Sequence, residues 1–378
     1  MTTDDGQRTM SRAPCPVREP GPPRWNRDYP AGTGTTTGNW GLLGHEWAVE
    51  MLKQHLTRDS VRHAYLFTGP PGLGRRTLAL RFAQALNCPN PVAPGEPCGK
   101  CKTCQQIERM QYADLAVIQA EKEGGTLKVE QIRSVRQSLS LKPYQGKYRV
   151  ALFLRFQEAN PNAANALLKT LEEAPAHVIL LLTADTAEQL LPTIPSRCEI
   201  LRLRPLPVET VEAYLKTREV VPVPARANAD NASARLLAHI SGGRPGYALR
   251  LMQDKEALDF RQMRLGDLQS LLKYNRRERF SYAEKLTDRK NEAKERFRET
   301  LLLWLSFWRD VLLRAAGSGA PLANVDYIEA VDALAAKLTL PEVRKLVSDA
   351  EGAIDKLERN VNARLLAEVV LLDWPKIA

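Results

Sequence analysis

The chain has no apolar run approaching the roughly 18 residues that a membrane-crossing helix needs. Its amino terminus carries Asp4 and Asp5 with no apolar stretch behind them, so the pattern of a secretory signal is missing too. A cytoplasmic protein without membrane contact is expected. Cysteine is sparse, at six in 378 residues, which excludes a disulfide-built scaffold for a chain of this length. Four of the six fall between residues 88 and 104, and such clustering points to metal rather than to oxidation. The net charge of +10 is dispersed, which makes the protein compatible with polyanions such as nucleic acid without identifying one.

A chain of 378 residues is longer than one ordinary domain. Residues 1–38 hold six prolines and five glycines and no periodic apolar pattern, and read as a disordered leader. Over 39–204, short apolar runs (Ala64–Phe67, Leu115–Ile118, Val150–Leu154, Val178–Leu182) alternate with helical patterns. Such runs, separated by helices, are what a parallel sheet covered on both faces requires, so this stretch predicts an α/β domain. Residues 205–252 read as a small helical unit, opening at Pro205-Leu206-Pro207 and closing near Gly242–Gly246. Residues 253–378 read as helical throughout, with Phe297, Leu301, Trp304, Leu305, Trp308 and Leu312 on one packing face. The basic segment Lys273–Arg298 reads as a solvated helix face.

Directly after the first apolar run comes Thr68-Gly69-Pro70-Pro71-Gly72-Leu73-Gly74-Arg75-Arg76-Thr77, leading into a helical pattern. A glycine-rich turn between strand and helix aims backbone N–H groups at an anion, and the helix dipole adds to the attraction. The spacing is that of a P-loop. Two chemical positions depart from it. Arg75 stands where a lysine would reach the phosphates, and Arg76 where a hydroxyl would hold magnesium; Thr77 sits one residue late, about 100° round the helix. A P-loop ATPase also carries an acidic pair after a later strand, for the metal and the attacking water. After Val150–Leu154 this chain has Arg155 and Phe156, and Glu158 falls out of frame for that duty. Metal ligand and base are absent together, so ATP hydrolysis by this chain is not expected and ATP binding is doubtful.

Cys88, Cys98, Cys101 and Cys104 follow the spacing C-x9-C-x2-C-x2-C, with Gly95, Pro97 and Gly99 supplying turns. Four thiolates with no histidine nearby suit a closed tetrahedral zinc site that is structural, not catalytic. Cys15 in the leader and Cys198 lack the partners that nucleophilic catalysis needs.

Four stretches carry a resemblance over almost the whole chain from Trp40 on. They are Arg62–Gly72, Asn165–Glu173, Thr193-Ile194-Pro195-Ser196-Arg197-Cys198 and Asn360–Leu366, and in this order they resemble the clamp-loader branch of the AAA+ family. The resemblance implies an AAA+-like α/β P-loop domain with a zinc insertion, a helical lid and an all-α collar that joins a five-membered ring. It also implies partners: gamma or tau ATPase subunits, a delta subunit, and, through the complex, the sliding clamp and primer-template DNA. ATPase members of the family have a late arginine that touches nucleotide, and here Gly246 aligns with it. The pattern therefore resembles the non-hydrolysing member of the ring, a component of the DNA polymerase III holoenzyme; a gamma- or tau-like ATPase with a divergent P-loop is the alternative. In that family Ser196-Arg197-Cys198 would supply an arginine finger to ATP bound by the adjacent subunit. Taken without the resemblance, Arg197 reads as a surface ion-pair partner.

Overall fold

Apolar runs bounded by turn residues form five strands, β1 (Ala64–Thr68), β2 (Leu115–Ile118), β3 (Arg149–Phe153), β4 (Val178–Ala184) and β5 (Glu199–Arg202). The computed structural model describes residues 39–122, 124–218, 229–287, 293–359 and 361–376, so the expected leader lies outside the described residues. All four strand pairings are parallel, in the order β2-β3-β4-β1-β5. Every residue of β1 and of β4 is buried, as strands covered on both faces must be. Alternate side chains feed two cores. Tyr65, Phe67 and Leu181 pack with α1 (Glu46–Thr57) and α2 (Arg75–Asn87), and the short α3 (Lys102–Glu108) adds Ile107 to the same core. Leu66, Phe153 and Leu182 pack on the other face with α4 (Val129–Leu139) and α5 (Pro161–Glu172). The α/β architecture expected of this stretch is therefore present, with one strand more than the apolar runs suggested.

Helices α6 (Val208–Lys216), α7 (Ala229–Ser241) and α8 (Pro245–Gln253) enclose a small core of their own, with Val211, Leu215, Leu237 and Ala248 at its centre. The carboxyl-terminal region is helical: α9 (Lys255–Leu271), α10 (Arg276–Thr287), α11 (Ala293–Ala315), α12 (Ile328–Lys337), α13 (Leu340–Glu358) and α14 (Ala363–Leu372). On α11, Phe297, Leu301, Trp304 and Trp308 are buried as expected, whereas Leu305 and Leu312 are only partly so. Phe307 and Val311 take their place, because α11 is flanked by α9, α12 and α13 and its buried arc is wide. Trp374 closes this core edge-on against Trp304 and Trp308, at ring-centroid distances of 4.9 and 5.7 Å.

The basic segment is not wholly a solvated face. Arg276 and Arg277 are exposed, but Arg279 is buried and donates to the carbonyls of Leu271, Leu371, Trp374 and Pro375. A guanidinium suits that place because its several donors reach several carbonyls at once at the ends of α9 and α14. Residues 288–292 of the segment lie outside the described residues. No helix among the described residues is long and apolar enough to cross a membrane.

Candidate functional site

The glycine-rich turn has the backbone its sequence calls for. Gly69, Gly72 and Gly74 all have positive φ, at 139°, 90° and 94°, and α2 begins directly after Gly74. An L side chain would be strained at each, and two of the three positions also lack space. A Cβ at Gly69 would strike the carbonyl oxygen of Leu203, and one at Gly72 would lie 2.9 Å from the backbone nitrogen of Tyr247.

That second contact decides what faces the loop. Gly246, at the start of α8, donates its N–H to the Gly72 carbonyl at 2.8 Å, so the helical unit closes onto the loop through backbone. A Cβ on Gly246 would itself lie 2.9 Å from that carbonyl. The Arg75 side chain is buried, and its Nη2 bonds Asp185 Oδ1 at 2.7 Å. Burial pushes the Arg75 pKa down and the positive Arg155 adds to that, while pairing with Asp185 opposes both. Nη1 of Arg75 has no partner. Asp185 follows β4 and also accepts from Gly69 N–H through its own carbonyl, at 2.9 Å. Thr77 is exposed.

The segment after β3 is equally self-contained. Arg155 has a left-handed backbone, φ 50°, and donates its N–H to Thr183 Oγ1 at 2.9 Å. Its Nε bonds Glu158 Oε1 at 2.7 Å, and that same oxygen accepts from the Gly124 N–H at 2.9 Å. Phe156 is buried edge-on against Phe153. Neither position offers a carboxylate to a metal, and Glu158 is turned to Arg155. The positions after β3 thus supply an arginine and a phenylalanine in place of carboxylates, and the one oxygen of Glu158 left without a partner, Oε2, is buried.

Ser196 and Arg197 lie in one tight turn, Pro195–Arg197, immediately before β5. Because β5 runs parallel to β1, this turn sits at the amino-terminal end of the strands, opposite the glycine-rich loop that follows β1. Arg197 is partly exposed. Its Nη2 bonds Glu172 Oε1 at 2.6 Å, and its Nη1 bonds the Thr193 carbonyl at 3.1 Å and Ser196 Oγ at 3.3 Å. Cys198 points inward, and burial pushes its thiol up to about 12, which suits packing and not nucleophilic chemistry.

The four clustered cysteines converge. Their sulfurs all lie within 4.8 Å of one another, with Cys88–Cys98 at 3.6 Å and both Cys88–Cys101 and Cys98–Cys104 at 4.0 Å. Zinc bonded to four sulfurs at about 2.3 Å in a tetrahedron sets them about 3.8 Å apart, so the spacing fits. Backbone N–H groups of Cys98, Cys101 and Cys104 point at the sulfurs of Cys88, Cys98 and Cys101. At Cys98 burial opposes ionisation, but the N–H groups of Cys101 and Lys100 and the neighbouring Cys101 and Cys88 thiols outweigh it and bring the thiol to about 6, whereas burial pushes Cys88 and Cys104 up. Trp40 Nε1 donates to the Gly95 carbonyl, and Lys53 pairs with Glu96 at 2.6 Å, tying the module to the α/β unit.

Sequence reasoning missed Asp185 and Glu172 as partners of the two arginines. Each stands in a motif or beside a strand already noticed, but neither spacing nor composition marks a long-range ion pair.

Two family models match this chain: "DNA polymerase III, delta subunit" over residues 44–207, and "DNA polymerase III, delta subunit, C terminal" over residues 257–376. Among curated relatives, subunit delta' of Bacillus subtilis is 27% identical over 86% of this chain and 94% of that protein. Subunit delta' of Pseudomonas aeruginosa is 36% identical over 55% of this chain and 61% of that protein. Subunit tau of Salmonella typhimurium is 35% identical over 46% of this chain, which spans only 27% of the tau protein's length. The chain belongs to the clamp-loader family of DNA polymerase III subunits.

Proposed function

We propose that this chain is the delta-prime-type, non-hydrolysing subunit of a DNA polymerase III clamp loader, working with gamma or tau and delta subunits to place a sliding clamp on primed DNA. The observation that carries the reading is the inward turn of the phosphate loop, where Arg75 is bonded to Asp185 and Gly72 to Gly246. Arg155 and Phe156, in the place of the acidic pair, support it. On this reading residues 39–204 form the AAA+-like domain, 205–252 the lid and 253–378 the collar. Arg197 acts in trans: it leaves its own subunit and offers two donors to the γ-phosphate of ATP held by a neighbour, stabilising the charge that builds as the phosphoryl group departs. Zinc, held by Cys88, Cys98, Cys101 and Cys104, cross-links the end of α2 to α3 and takes no part in chemistry.

A second reading, a gamma- or tau-like ATPase, is favoured by the 35% identity to tau over 175 residues. Two measurements separate the readings. The purified chain should show no magnesium-dependent ATP turnover and should co-elute with a gamma-type subunit on gel filtration. Turnover abolished by Arg75→Ala would establish the ATPase reading, and a chain that never co-elutes would remove both.

A further inference from the structure

Arg197 is held by its own subunit in a way that its proposed task in trans does not allow. Both terminal nitrogens are engaged: Nη2 with Glu172 Oε1 at 2.6 Å, Nη1 with the Thr193 carbonyl at 3.1 Å and Ser196 Oγ at 3.3 Å. A guanidinium that offers two parallel donors to a phosphate must first give these up. Thr193 and Ser196 belong to the arginine's own turn and move with it, whereas Glu172 is the last residue of α5 and comes from a separate element. The carboxyl end of α5 also carries the partial negative charge of its unpartnered carbonyls, and Glu173 follows it, so this end of the helix attracts a cation.

We propose that Glu172 is a positioning residue that parks Arg197 on its own subunit and releases it when a neighbouring subunit presents a phosphate; the proposal rests on the reading of Arg197 as a residue acting in trans. The strength of the pair is suited to release. The two side chains keep 35% and 49% of their exposure, and pairs this accessible bias an equilibrium by no more than about fivefold. A bound γ-phosphate carries more charge than one carboxylate and accepts both donors at once, so it can take the arginine away. Before the neighbour is loaded and aligned, Glu172 keeps the finger withdrawn and so lowers ATP turnover in the absence of DNA.

The test uses the ring reconstituted from gamma-type subunits, delta and this chain, with the chain as wild type, Glu172→Gln, Arg197→Ala or the double variant, and with assembly checked by gel filtration. ATP turnover is measured with and without primed DNA over a range of ATP concentrations. Glu172→Gln should raise DNA-independent turnover by about two- to fivefold and lower the half-saturating ATP concentration, since the finger is no longer held back. Arg197→Ala should lower turnover, and adding Glu172→Gln to it should change nothing more. If Glu172→Gln matches wild type, or shifts turnover equally in the Arg197→Ala background, parking is overturned while the finger stands. An Arg197→Ala ring that assembles and turns over like wild type would overturn both.

Discussion

Removing either partner of the Arg75–Asp185 pair should have unequal effects, and the inequality tests whether the phosphate loop is closed on itself. Arg75 keeps 9% of its side-chain exposure and Asp185 32%. Asp185→Ala leaves a buried guanidinium with Nη2 newly unpartnered beside an Nη1 that already lacks a partner. Orphaning a buried charge costs about 3–5 kcal/mol, which the partial exposure of this pair reduces to about 2–4 kcal/mol. Arg75→Met leaves a carboxylate that water can reach, puts an apolar chain where a buried charge stood, and should cost about 1 kcal/mol or less. For a unit of this size each kcal/mol moves the melting temperature by about 2–4 °C. Asp185→Ala should therefore lower Tm by about 4–16 °C and Arg75→Met by no more than about 4 °C. Thermal scans of the purified variants decide it, and an Arg75→Met variant as damaged as Asp185→Ala would refute the reasoning. Magnesium-ATP should leave the wild-type Tm unmoved, whereas ligand at about 100 times its Kd would add about 2.7 kcal/mol.

Two further outcomes follow from local chemistry. Metal analysis should find about one zinc per chain, and Cys101→Ser, which removes a sulfur ligand but keeps an oxygen able to cap the Cys104 N–H, should lose zinc and lower Tm; full zinc in that variant would refute the site. Asp114 is buried, which by itself would raise its pKa. N–H groups of Tyr144, Gln145 and Gly146 at 2.7, 2.7 and 2.9 Å hold the carboxyl below its usual value instead. A depressed carboxyl contributes stability that is present above its unfolded pKa of about 4 and lost as pH falls through the native value. Asp114→Asn should thus cost about 1–2 kcal/mol at neutral pH, with the difference from wild type shrinking below about pH 4; a cost independent of pH would refute it.

Features held by neighbours in sequence were legible, and features held across the chain were not. The apolar runs at β1 and β4 announced buried strands because every residue of each faces a core. β5 escaped notice because it pairs on one side only, and only one of its four residues is buried. The cysteine module was readable because its ligands lie within 17 residues and converge by turns. The loop's own glycines were readable in the same way. What closes that loop was not, since Asp185 is 110 residues from Arg75 and Gly246 lies in another unit of the fold. The basic segment was misread at Arg279 for the same reason, its carbonyl partners at Leu371 and Trp374 lying far along the chain.

The contacts around the glycine-rich loop also bear on how the units are held together. The helical unit meets the glycine-rich loop through a direct backbone hydrogen bond from Gly246 to Gly72, and within the unit Leu206 N–H bonds the Gly243 carbonyl at 2.8 Å. That unit also reaches the carboxyl-terminal region, His239 Nδ1 lying 2.7 Å from the Leu322 carbonyl in the segment between α11 and α12. On the proposed function these contacts hold the units in one relation, while Arg197, tied to α5 by a partly exposed ion pair, is the residue that responds to a neighbour's cycle.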